Sequence, residues 1–85
     1  MKQEYKGRVL IVDDDLDIRE NLCDRLAAQG YEVLAAANGR EGLEQIRREL
    51  PEVVLADLLM PGMGGQALLE ALRDEELETS VVVIS

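Results

Sequence analysis

Three consecutive aspartates, Asp13, Asp14 and Asp15, a fourth at Asp57 and a hydroxyl at Ser85 are the side chains best placed to do chemistry. Each group follows a short apolar run: VLIV before the triplet, VVLA before Asp57 and VVVI before Ser85. Unit charges about 4 Å apart repel by roughly 4 kcal/mol at an effective dielectric near 20. Carboxylates gathered at one point therefore need shared protons or a cation. Magnesium suits such a set, because it takes octahedral oxygen ligands at about 2.0 to 2.1 Å, keeps several waters and bridges one or two carboxylates to a phosphate. Calcium would want more protein oxygens. A carboxylate such as Asp57 is also a nucleophile that can form an aspartyl phosphate, with the metal offsetting the charge and a nearby Ser hydroxyl donating to the phosphoryl oxygens. The plain structural alternative differs by residue. An Asp after a strand commonly caps the next helix or closes a turn, which would account for Asp13 to Asp15. Asp57 stands between VVLA and Leu58, where a purely structural chain would carry a hydrophobe.

Bringing these residues to one rim requires particular elements. Residues 9–12 are a continuous apolar run, the pattern of a strand covered on both faces. Ile18, Leu22 and Leu26, spaced by four, predict an amphipathic helix, with Asp17 and Glu20 as its cap and reciprocal partner and Gly30 as its terminator. Residues 31–37 predict a second strand. Asn38 with Glu41 forms another capping pattern ahead of Leu43, Ile46 and Leu50, and Pro51 closes that helix. Residues 53–56 repeat the buried-strand signature, and Leu68, Leu69 and Leu72 mark a third helix. Residues 81–84 form a fourth apolar run. Regular alternation of strand and helix implies right-handed crossovers and a parallel sheet with helices on both faces. In such sheets ligands bind at the carboxyl ends of the strands, where the aspartates and Ser85 fall. The glycines at 62, 64 and 65 match no phosphate-cradling fingerprint and read as a hinge-like loop.

Composition narrows the function classes. Eighty-five residues make one small domain, with 47% apolar and 32% charged residues, a soluble globular balance. Eighteen acids against nine bases give a formal charge of -9, which repels nucleic acid and anionic lipid alike. The lone Cys23 has no partner for an internal disulfide and fits a packing role in a reduced compartment. The MKQEYKGRVLIV start carries neither a signal-peptide pattern nor a membrane span, so a cytoplasmic location is expected. Without His, Trp or Phe, the chain has no imidazole for acid-base work or zinc ligation. Any chemistry must come from carboxylates.

RVLIVDDD followed by VVLADLLMPGMGG resembles the receiver domains of bacterial two-component response regulators, and the likeness runs from Arg8 to Ser85. It implies a flavodoxin-like (CheY-like) α/β fold, a doubly wound parallel sheet of strand order 2-1-3-4. By the same resemblance, Asp57 is the phosphoacceptor, Asp14 a direct magnesium ligand and Asp13 a ligand acting mainly through water. Leu59 contributes its backbone carbonyl to the metal, and Ser85 is the switch hydroxyl. The partners implied are a histidine kinase or phosphotransfer protein and an output domain in the full-length protein. Gly64 stands where the family commonly has Asp. Family members also continue past Ser85 through a helix, a strand carrying a Lys that contacts the phosphoryl group, and a last helix, so residues 1–85 read as a partial receiver domain. The expected consequences are weakened phosphorylation and self-association through strand 81–84, left as a hydrophobic edge.

Two other functions compete. Asp13 and Asp15 after an apolar strand resemble the Asp-x-Asp motif of haloacid-dehalogenase-type phosphatases, with Ser85 as a second motif, but this leaves Asp57 without a role. An assembly module that is never phosphorylated, or a shortened chain that self-associates, is the other. On the receiver reading the domain is not a conventional enzyme, since it promotes only transfer to and loss from its own aspartate.

Overall fold

The computed structural model describes residues 4–57, 64–77 and 79–84. Along them run β1 (Arg8–Val12), α1 (Leu16–Ala28), β2 (Glu32–Ala36), α2 (Gly39–Glu49), β3 (Val53–Asp57), α3 (Gly65–Asp74) and β4 (Ser80–Ile84). All four strands pair in parallel, in the order β2-β1-β3-β4 that the sequence led us to expect.

Side chains alternate across a strand, and the two faces of this sheet are covered differently. Leu10 and Val12 of β1 join Ala36, Val54 and Ala56 in a buried core completed by Leu43 and Ile46 of α2 and by Leu68 and Leu72 of α3. Each fully buried Leu or Ile there contributes about 1.5 to 3 kcal/mol. Val9 and Ile11 are also buried, but they point to the opposite face, where α1 lies over β2 with Cys23 bordering hollows shared with Val33 and Ala35.

Helix ends obey local chemistry. The Asn38 carboxamide oxygen accepts from the Glu41 N–H at 2.9 Å, the expected cap, while the Glu41 carboxylate reaches back to the Ala37 N–H at 3.0 Å, one residue before the N-cap N–H that a capping box uses. Leu50 then turns left-handed at φ 48°, and Pro51 behind it cannot continue the helix. Gly30, at φ 97°, ends the Gly30 N–H on Ala27 and the Tyr31 N–H on Leu26, at 3.0 and 3.1 Å, the paired bonds of a Schellman ending. α3 closes in the same way, with the Glu76 N–H on Arg73 and the Leu77 N–H on Leu72, but it places Glu76 rather than glycine at φ 55°. α2 and α3 are also linked across their exposed flanks by a two-pronged Arg47–Glu75 pair at 2.7 and 2.5 Å. The guanidinium holds the Glu75 carboxyl below the usual carboxylate range.

Three expectations need correction. Leu50, expected on the apolar face of α2 with Leu43 and Ile46, is the left-handed residue past the helix end and is 62% exposed. The other two concern α1. Its cap is Asp15, whose carboxylate accepts from the Ile18 N–H at 3.1 Å, and not Asp17. Asp13 is still tied to the sheet through its N–H to Ala36 and its carboxylate is taken by the Asp15 N–H, so the helix starts from Asp15, two residues before the expected cap. The apolar stripe of Ile18, Leu22 and Leu26 is also only partly used. No residue of α1 is fully buried, and Leu16 and Ile18 remain 53% and 46% exposed, because no other described helix shares that face of the sheet. β4 is an outer strand, as expected, with Val82 48% exposed.

Packing at the end of β1 leaves no room above Gly42 of α2, where an added Cβ would lie 2.8 Å from a Val12 methyl. Gly42→Ala is therefore expected to destabilise by about 1 to 3 kcal/mol despite the better helix former. Glu76→Gly, relieving a left-handed backbone, is expected to stabilise by about 1 kcal/mol. Urea unfolding midpoints at constant slope measure both shifts.

Candidate metal and phosphoacceptor site

The register of β1 with β3 brings distant carboxylates together. Val9 pairs with Val53, Ile11 with Leu55 and Val12 with Ala56, so one step further along both chains sets Asp13 beside Asp57. Neighbouring strands lie about 4.8 Å apart. Asp13, Asp14 and Asp57 accordingly each present a carboxylate oxygen within 4.8 Å of the others. Asp13 is buried at 2% exposure, Asp57 is half-buried and Asp14 is exposed.

Asp13 is tied at three points. Its N–H donates to the Ala36 carbonyl at 3.1 Å. One carboxylate oxygen accepts from the Asp15 N–H at 2.9 Å. Its own carbonyl accepts from the Arg19 guanidinium at 2.8 Å. Asp15 is thus divided from its neighbours: its backbone steadies Asp13 while its side chain caps α1. The Asp-x-Asp phosphatase reading needs Asp15 in the pocket, and its side chain is spent on the helix. Leu59 and Ser85, the other expected site residues, lie outside the described residues. Gly64 begins α3 as its N-cap, at φ -87°.

Three oxygen donors of one charge, one buried, one half-buried and one exposed, fit a hard divalent cation that keeps part of its water shell. They do not suit zinc, which favours nitrogen and sulfur ligands. Arg19 escaped the sequence reading. The signal for it was a cation in the first turn of a helix, where the helix dipole favours acids. Cys23 plays no part in this pocket: burial pushes its thiol up, Asp24 adds to the effect, and Arg19 opposes it.

Residues 9–85 match the model of the response regulator receiver domain. The chain belongs to the response-regulator receiver family. Among its relatives, this receiver is 41% identical over 78 residues to the transcriptional activator protein PfeR of Pseudomonas aeruginosa, covering 92% of the chain but 25% of PfeR. It is also 41% identical over 79 residues to PilH of the same organism, covering 92% of the chain and 65% of PilH. The crystallised chemotaxis protein CheY4 of Vibrio cholerae superposes with a TM-score of 0.86 at 34% identity, over 91% of this chain and 66% of that one. The four-stranded sheet with its three helices is thus the CheY-like receiver fold, and the domain is one of two-component signalling. No described helix of the receiver is long and apolar enough to cross a membrane.

The division of labour among the aspartates gives substitutions of opposite sign in metal-free buffer. Asp15→Ala removes the α1 cap and is expected to cost about 1 kcal/mol. Asp14→Ala relieves repulsion in the pocket and is expected to stabilise by up to about 1 kcal/mol, the scale for an exposed pair. Chemical denaturation with chelator present distinguishes the two.

Proposed function

We propose that this receiver accepts a phosphoryl group on Asp57 from a phosphohistidine of a partner kinase or phosphotransfer protein and so switches an output domain. The observation that carries the reading is the convergence of Asp13, Asp14 and Asp57 within 4.8 Å. In the transfer, an Asp57 carboxylate oxygen bonds to phosphorus as the phosphorus–nitrogen bond of the donor breaks and the imidazole takes up a proton. Return to the starting state is hydrolysis, in which water attacks phosphorus and inorganic phosphate leaves Asp57. The domain acts on itself only and is not a conventional enzyme.

Asp13 and Asp14 would hold magnesium with Asp57, and the three-point anchoring of Asp13 would keep that ion beside the Asp57 oxygen. When bound, magnesium supplies charge neutralisation for the phosphoryl oxygens. The Leu59 carbonyl is assigned to the same ion and the Ser85 hydroxyl to the phosphoryl oxygens, both by family likeness. A cytoplasmic setting goes with this reading, in keeping with the single thiol. PfeR is named a transcriptional activator and is about four times as long as the stretch matched here. An output domain of that general kind would sit outside the residues described, in a longer protein.

Incubation with a small acyl phosphate and magnesium tests the chemistry by intact mass. The chain is expected to gain one phosphoryl group, Asp57→Ala none, and Asp14→Ala to label roughly a hundredfold more slowly. A phosphoryl group retained on Asp57→Ala contradicts the assignment.

A further inference from the structure

We propose that Arg19 is a positioning residue for the acidic pocket, holding Asp13 in the place where it can bind a cation. This rests on reading the pocket as a cation site and adds a residue to it. Paired β1 ends at Val12, opposite Ala36 and Ala56. Beyond that point the Asp13 N–H still finds the Ala36 carbonyl, but the Asp13 carbonyl points past the ladder. Arg19 supplies its partner, at 2.8 Å. A buried carbonyl without one would cost about 1 to 3 kcal/mol.

The placement runs against local preference, which marks it as a tertiary contact. Arg19 lies in the first turn of α1, where the dipole disfavours a cation by about 0.3 to 1 kcal/mol. Its half-buried side chain nevertheless folds back toward the strand end. Asp13 is then held from three sides: β2 at its N–H, Asp15 at its carboxylate and Arg19 at its carbonyl. Without Arg19 the peptide after Asp13 can rotate, and the carboxylate and the Asp15 N–H bonded to it move with that peptide. A guanidinium beside the pocket also carries a charge that opposes cation uptake. Salt screens that charge, since the Debye length falls to about 3 Å at 1 M, whereas the positioning effect survives salt.

The test is a magnesium titration followed by amide NMR in high salt, comparing the wild-type chain with Arg19→Met, Arg19→Gln and Arg19→Lys. Arg19→Met is expected to bind magnesium about tenfold more weakly, the lower end of what outer-shell partners contribute. Its Asp15 amide is expected to exchange about tenfold faster while the Ile11 amide keeps its protection, a local loosening that general destabilisation would not give. Arg19→Gln, a milder change that also falls short of the carbonyl, carries the same expectation if Arg19→Met does not fold. Arg19→Lys, with a donor on a long stem, is expected to recover most of the affinity. Wild-type affinity in Arg19→Met or Arg19→Gln overturns the proposal and leaves the pocket reading intact. So does equal acceleration at Asp15 and Ile11. A wild-type chain that takes up no magnesium overturns both.

Discussion

Everything at the functional rim depends on the in-register parallel pairing of β1 with β3. In both chains an acid follows the apolar residues of the strand at the same level, so the pairing that sets Val12 against Ala56 also sets Asp13 beside Asp57. Because side chains alternate with a period of two, a slip of one residue would send Asp57 to the other face of the sheet. The apolar pattern forbids that slip. Val54 and Ala56 must face the α2–α3 core with Leu10 and Val12, and the same alternation turns Asp57 to the side of Val9, Ile11 and Asp13.

Packing beneath the pocket keeps that level fixed. Gly42 lets α2 close directly onto Val12, the residue before Asp13, and the Asn38 cap, with the Glu41 carboxylate bonded back to the Ala37 N–H, starts α2 just past the end of β2. On the opposite face, α1 covers Val9 and Ile11 without burying any residue of its own completely, and its start is fixed by the Asp15 cap and by Arg19. The acidic triplet thus divides its work. Asp13 is immobilised, Asp14 stays open to solvent, and Asp15 anchors the helix, which is how three identical side chains in a row come to differ in role.

Much of this was legible in the sequence, for stated physical reasons. Unbroken apolar runs at 9–12 and 53–56 announced strands buried on both sides, and alternation with helices fixed the parallel topology. Asp57 stood out because it interrupts such a run. The Asn38–Glu41 cap was readable because the polar pair abuts a clear apolar face. The start of α1 was not: Asp13, Asp14, Asp15 and Asp17 are all competent caps, and only the point where the chain leaves the sheet chooses among them. The exposure of Ile18 was hidden for a related reason, since periodicity reports which face of a helix is apolar but not how much of it a neighbour covers. Arg19 carried only an indirect signal, a cation where the helix dipole favours acids; its partner could not be read because it is a backbone carbonyl, which has no sequence signature.

The most direct test of the converging carboxylates is paramagnetic broadening of the amide NMR spectrum by manganese, a stand-in for magnesium. The account expects substoichiometric manganese to broaden the amides of Asp13, Asp14 and Asp57 together, ahead of all others, and magnesium to restore them. Broadening that begins instead at Glu32, Glu49 and Glu52, at the far end of the strands, would contradict it.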